Sequence, residues 1–390
     1  MSPAPADRFA ALADLTALLG QRDARLLADL RAQLEPTSGL HSTAIAALAV
    51  HFGRGWSPAR LRRMRALLGQ QLPVGQVTVI APANLFVASW QAALEPWLAG
   101  NTVRVRTSRR DGGALPWLAK QLQERMGHVA DLQLWPPRLD AAAQTILEPE
   151  LVRDSHTLAV WGNEETIASI EQLAKTADFS GQLRLHGQHS AVAVIDCRNG
   201  RRPSARTLAG LAIDIVLGDG RGCMSLGQIG WFGAQAADLQ VLHAALAQAV
   251  AVAAVQFPAG PDHANSAVLR NLQTQAMAVV AAVQPQRWFA ARSCGWLYSQ
   301  AQADPSITSW ALPARCASST IVNSQIGLAA LPTRLIGPIS AVCSDLPPAE
   351  LPKLAQALAT SRWCRPGHLQ AVRADQGHDN YRVFERFVQP

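Results

Sequence analysis

The chain has 390 residues, 49% of them hydrophobic and 16% charged, with a formal net charge of +7. That length exceeds a single core and that composition excludes disordered and fibrous classes, which leaves a folded chain of two or three domains. The dense basic groups, Arg60, Arg62, Arg63 and Arg65 and then Arg104, Arg106, Arg109 and Arg110, lack aromatic interleaving. They point to a small phosphorylated ligand and to no nucleic acid.

The opening MSPAPADRFAALADL has no basic segment followed by an apolar core, so no secretory signal is expected. Apolar residues recur at three-to-four spacing over 6–34 and 57–70, with Phe9, Leu12, Leu15, Leu18 and Leu19 on one face, and predict amphipathic helices. From residue 75 the period changes. GQVTVIAPANLF predicts a buried strand and a Pro turn, VASWQAALEPWLAG a helix closed at Gly100, NTVRVRTS a strand, PWLAKQLQERMG a helix and LQLW a strand. HTLAVWGNEETIASIEQLA then reads as strand, turn and helix, and the alternation predicts an α/β fold with a parallel sheet covered by helices.

A second strand-rich stretch begins at HSAVAVIDC and continues into helices over ARTLAGLAIDIVL, DLQVLHAALAQAVAVAAVQ and SAVLRNLQTQAMAVVAAV. The expected division is 1–190, 191–345 and 346–390, the last a helix from 349 and a strand-like YRVFERFV packing back on the body. The longest apolar run, 244–258, contains two glutamines and falls short of the about 18 apolar residues of a membrane span, so a cytoplasmic protein is expected. Cysteines 197, 223, 294, 316, 343 and 364 are dispersed with no CxxC pair, which predicts reduced thiols and no metal site.

LGDGRGCMSLGQ, residues 217–228, holds four glycines around Cys223 and admits two readings. A dinucleotide loop needs a strand before it and a helix after it, and Gly227 and Gly230 discourage that helix. A nucleophile loop needs glycines so that backbone N–H groups can approach a reacting carbonyl, with Cys223 in an open, polar setting.

The ordered series APANLF, LAGNTVRVRTS, VWGNEET, LHGQHSAVAVID and GDGRGCMSLGQ resembles the aldehyde dehydrogenase superfamily and, within it, the long-chain acyl-CoA reductase family known from bacterial luminescence. Trp363, Arg365, Pro366 and Gly367 resemble the segment before the tail in that family. The resemblance implies a Rossmann-type cofactor domain plus an α/β catalytic domain, and assembly into homodimers or tetramers. It makes Cys223 the nucleophile and Asn84 the side-chain donor that forms an oxyanion hole with the Cys223 N–H; read without it, Asn84 satisfies its own turn. It also places Arg106 and Arg109 where the superfamily puts a Lys and a ribose-binding Glu. Arg106, Ser108 and Arg109 would grip a 2′-phosphate, which implies NADPH; the bland alternative is a solvated basic loop. Gly162 and Asn163, before Glu164, match the turn near the cofactor's pyrophosphate and nicotinamide end, and Pro82 is assigned to the cofactor with them.

Two departures shape the implied chemistry. Leu185 stands where acid-forming aldehyde dehydrogenases carry the glutamate that activates water, which favours thioester reduction over aldehyde oxidation. Arg334 replaces a ribose-binding glutamate. His186 and His189, three residues apart, read as a proton donor, a metal pair lacking a third ligand, or a polar turn. The implied activity is reduction of an acyl-CoA or acyl-carrier-protein thioester to an aldehyde through an acyl-enzyme. The alternatives are acyl transfer on Cys223 without reduction, and a degenerate scaffold homologue. The Arg60 to Arg65 cluster suits an acidic carrier or a solvated helix face.

Overall fold

The computed structural model describes residues 5–389 apart from 109–110, 112, 128–130, 136–151, 153, 262–286, 293–294, 301–314, 324–337 and 380. Four helices come first: α1 Pro5–Gly20, α2 Ala24–Leu34, α3 Ser42–Gly55 and α4 Pro58–Leu68. The single helical stretch expected over 6–34 is two helices. Arg22 adopts a left-handed φ of 65° and the Asp23 carboxylate accepts from the Leu26 N–H, capping a new start. Helix α3 was not anticipated; it crosses α1 so closely that a Cβ at Gly53 would lie 2.5 Å from the Gly20 nitrogen.

The expected alternation follows. β1 Gln76–Ile80, α5 Phe86–Leu98, β2 Thr102–Arg106, α6 Ala114–Met126, β3 Leu132–Trp135, β4 Thr157–Trp161, α7 Glu164–Thr176 and β5 Gln182–His186 build a parallel sheet of order β3-β2-β1-β4-β5. The order reverses between β1 and β4, the switch point at which doubly wound sheets open a crevice beyond their carboxyl ends.

A second sheet takes β6 Ser190–Asp196, β7 Leu226–Phe232, β8 Arg287–Arg292, β9 Gly295–Gln300, β10 Cys316–Val322, β11 Ile339–Ser344 and β12 Trp363–Cys364 in the order β12-β11-β6-β7-β10-β9-β8. Among the described strands of this sheet, β8 and β9 alone pair antiparallel. Helices α8 Ala205–Val216, α9 Leu239–Gln256 and α10 Leu351–Ala357 belong to this half of the chain. Three residues, 187–189, carry the chain from the carboxyl end of β5 to the amino end of β6. The start of β6 is level with the starts of β7 and β11, since Ala191 pairs with Leu226 and Ser190 with Ile339. Carboxyl ends of one sheet thus meet amino ends of the other.

Two expectations are corrected. The segment Ala236–Gln256, which contains α9, is long and apolar enough by composition to cross a membrane, with a mean hydropathy of 1.5. It packs against α8, β8 and β9 with Leu239, Leu242, Leu246 and Val250 buried, so its apolar content has a core to fill. The strand-like YRVFERFV is not a strand. Phe384 and Arg386 take left-handed φ values of 64° and 66°, and the backbone is spent on other elements: the Phe384 N–H donates to Glu95, while the carbonyls of Glu385, Arg386 and Phe387 accept from Arg184, Thr157 and Asn101.

That tail is held by a buried ion pair. Arg184 on β5 donates to Glu95 of α5 at 2.9 and 3.3 Å, and its guanidinium lies over the rings of Tyr381 and Phe387. Removing one partner of such a pair leaves an uncompensated charge. Glu95→Ala is expected to lower stability in urea unfolding by about 3–5 kcal/mol. Glu124→Ala, which breaks an exposed bridge to Lys120, is expected to change it by less than about 0.5 kcal/mol.

Candidate active site

Helix α8 ends at Val216, and the chain reverses through Gly218, Asp219 and Gly220, all with φ between 57° and 72°, before entering β7 at Leu226. Helix, turn and strand is the reverse of the order a phosphate loop requires, so the dinucleotide reading of 217–228 does not stand. The loop is pinned from both sides. The buried Asp219 carboxylate accepts from Arg315 Nε at 2.7 Å and from the Gly260 N–H at 3.2 Å, and Arg221 donates to the Ser38 and Gly39 carbonyls.

Cys223 is half-buried on this loop, and Asn84 is beside it. The Asn84 Nδ2 donates to the Arg221 carbonyl at 3.1 Å and its Oδ1 accepts from the Leu85 N–H at 2.9 Å. One of the two amide N–H donors is therefore engaged by the cysteine loop itself. Burial pushes the Cys223 thiol up to about 12, the Asp379 carboxylate acts in the same direction, and Arg362 and a hydrogen bond with Ser340 oppose them. The resting group is a protonated thiol.

Behind Ser340 lies a cluster drawn from both sheets and the tail. The Ser340 hydroxyl donates to Asp379 Oδ1 at 2.9 Å, His186 Nδ1 lies 2.8 Å and His378 Nδ1 2.6 Å from Oδ2, and His189 Nε2 is 3.7 Å from Oδ1. Burial would raise Asp379, but His378 and His186 outweigh it and hold the carboxyl well below its usual range. Asp379 also has a left-handed φ of 48°, a conformation that Asp tolerates better than most residues. His186 stacks on Trp161 at 4.1 Å, and burial takes its pKa down to about 3, so the ring is neutral. Its Nε2 accepts from Arg184 Nε at 3.2 Å. Arg362 donates from Nε to the Gly377 carbonyl, and its two terminal nitrogens are buried without a hydrogen-bond partner among the described residues.

The ligand atoms of His186, His378 and Asp379 lie within 4.8 Å of one another, a spacing that would admit a cation. Their contacts with each other and with Arg184 already account for the arrangement. Ser340, Arg362, His378, Asp379 and Tyr381 escaped the sequence reading because nothing local in SAVCS or GHDNY marks them. The return of the tail to β5 brings His378, Asp379 and Tyr381 alongside Ser340 and His186.

The residues assigned to the cofactor gather at the carboxyl ends around the β1/β4 switch point. Pro82 follows β1, and its carbonyl accepts from Ser89; Gly162 follows β4, and its N–H donates to the His186 carbonyl. Asn163 caps α7, its Oδ1 accepting from the Thr166 N–H at 2.9 Å and hydroxyl at 2.7 Å, and Glu164 and Glu165 fill the first turn. The Asn163 side chain is thus committed to the helix. Arg106 ends β2, and the buried Ser108 hydroxyl beyond it has no partner among the described residues. Arg109 and Arg334 lie outside the described residues. Leu185 packs into an apolar cluster with Val160 and Ile170 while its N–H donates to the Tyr381 hydroxyl, so its position offers no base. Of the basic cluster on α4, Arg63 donates to Asp375 and Arg60 to the Arg54 carbonyl.

A family model described as acyl-CoA reductase (LuxC) matches residues 59–389. No curated protein matches the chain. Among solved structures it is similar to succinic semialdehyde dehydrogenase from Streptococcus pyogenes in complex with NADP+, at 12% identity and a TM-score of 0.69, covering 99% of this chain and 89% of that one. It is similar also to an NAD-dependent aldehyde dehydrogenase from Sinorhizobium meliloti, at 14% identity and 0.67, covering 93% and 74%. A third is glyceraldehyde-3-phosphate dehydrogenase GapN from Methanocaldococcus jannaschii complexed with NADP, at 12% identity and 0.62, covering 93% and 81%. At these identities the likeness is one of fold, an aldehyde dehydrogenase-like α/β fold.

A thiol raised to about 12 is almost wholly protonated in the neutral range. Alkylation of Cys223 by iodoacetamide at neutral pH, followed by peptide mass spectrometry, is expected to run at least about tenfold slower than that of a free cysteine, which titrates near 8.5.

Proposed function

Because the chain belongs to the acyl-CoA reductase (LuxC) family, we propose that it reduces an acyl thioester, borne on CoA or on an acyl-carrier protein, to the aldehyde with NADPH through an acyl-enzyme on Cys223. The observation that carries this reading is the Asn84 contact with the Arg221 carbonyl, which sets a side-chain amide on the same loop as the thiol.

The residues around the switch point fit a phosphorylated dinucleotide. The Ser108 hydroxyl is buried without a partner among the described residues and the Arg106 guanidinium ends the neighbouring strand, a pairing suited to a 2′-phosphate. Bound there, NADPH supplies the hydride. Cys223 attacks the thioester carbonyl, the carrier thiol leaves, and the acyl group stays on sulfur. The Cys223 N–H and the second Asn84 N–H serve as the donor pair for the oxyanion, fixed in advance because the loop is tied to Asp219, Arg221 and Asn84. Leu185 has nothing with which to activate water, so the acyl-enzyme is spared hydrolysis and the thiohemiacetal collapses to aldehyde.

Thioester-dependent oxidation of NADPH, followed by absorbance with aldehyde trapped in parallel, is expected for the intact protein and absent from Cys223→Ala. Asn84→Ala is expected to lower kcat by about 10²–10³-fold. Arg106→Ala is expected to raise the KM for NADPH by about tenfold or more while leaving that for NADH nearly unchanged. Undiminished activity in Cys223→Ala would overturn the mechanism; adduct formation without NADPH oxidation would point to acyl transfer; neither would point to a scaffold.

A further inference from the structure

Acylation of a protonated thiol needs somewhere for its proton to go. Among the described residues the side chain that hydrogen-bonds the Cys223 thiol is Ser340, whose own hydroxyl donates to Asp379 Oδ1. Three histidines surround that carboxylate, and their second nitrogens differ. His186 has none to spare: Nδ1 donates to Asp379 and Nε2 accepts from Arg184, so one neutral tautomer is fixed and a second proton would face a guanidinium. Burial, with Arg362 and Arg184, outweighs the pull of Asp379 on His378 and lowers its pKa. His189 differs from both. Its Nδ1 lies 2.8 Å from the Gly187 carbonyl, which can only accept, so Nδ1 carries the hydrogen and the free lone pair is on Nε2. That nitrogen is 3.7 Å from Oδ1, the oxygen to which Ser340 donates.

We propose that His189 takes the Cys223 proton through Ser340 and Asp379 and holds it while the acyl group is on the sulfur. This rests on the reading of Cys223 as the acylated residue. The thiol hydrogen passes to Ser340 Oγ, the Ser340 hydrogen to Asp379 Oδ1, and the Asp379 hydrogen to His189 Nε2. Serine and carboxylate end as they began, and one proton has moved from sulfur to imidazole. The freed sulfur pair forms the bond to the acyl carbon, and the carrier departs as a thiolate that takes a proton from water. When the aldehyde leaves, the C–S pair returns to sulfur and the proton comes back by the reverse route. The transfer requires Nε2 to move from 3.7 Å to hydrogen-bond distance of Oδ1 first, and the imidazolium then faces an ionised carboxylate that holds it there. Ser340 and Asp379 carry the proton, and His186 acts as a positioning residue on Asp379.

The test needs no thioester: iodoacetamide alkylation of Cys223 in the full-length protein, with and without added imidazole. His189→Ala is expected to slow alkylation by about 10²-fold or more, and imidazole to restore at least a tenth of the lost rate. His189→Asn keeps a donor for the Gly187 carbonyl but has no Nε2, so it is expected to show the same loss with its urea midpoint unchanged. A rate within threefold of the unaltered protein in both variants overturns the proposal. So does a loss that imidazole does not relieve in His189→Ala, since it marks a structural role. A protein whose alkylation obeys these expectations but which forms no adduct with acyl-CoA or an acyl-carrier thioester overturns the proposed reaction and leaves the proton route standing.

Discussion

A buried guanidinium left without partners costs the fold several kcal/mol, and Arg184 finds its partners in two distant parts of the chain and on its own strand. Glu95 comes from α5, the Glu385 carbonyl and the Tyr381 and Phe387 rings from the tail, and His186 Nε2 from the same strand. These contacts fix more than stability. By donating to His186 Nε2, Arg184 leaves Nδ1 as the donor to Asp379, so the protonation pattern beside the thiol is written by a residue that touches neither sulfur nor substrate.

Where the two sheets meet, each supplies what the other lacks. The first offers carboxyl ends at a switch point, with Pro82, Gly162, Arg106 and Ser108 arrayed along them. The second offers amino ends, with Cys223 before β7 and Ser340 in β11. A low-dielectric seam of this kind holds the thiol neutral at rest, and the charges it contains, Asp379 and Arg362, are of opposite sign.

What could be read from the sequence followed the range of the forces. The βαβ alternation from 75 to 186 is written in local periodicity and turn chemistry, and the structure follows it strand by strand. That Asn84 lies against the Cys223 loop was legible because short motifs kept their order. Helix α3 and the irregular tail were not, since each depends on a partner far along the chain: Gly53 against Gly20, and Phe384 against Glu95. Asp379 is the extreme case. Its role comes entirely from Ser340, His186 and His189, and no spacing within GHDNY records them.

The tail has a consequence in time as well as space. Cys223 and Asn84 leave the ribosome long before residues 378–387 do, and the contacts that close the site have large sequence separation, so they are among the last to form. Until the tail lays Tyr381 and Asp379 against β5, the nascent chain carries a thiol with no partner for its proton. The proton route proposed for Cys223 is thereby completed only once these residues have docked.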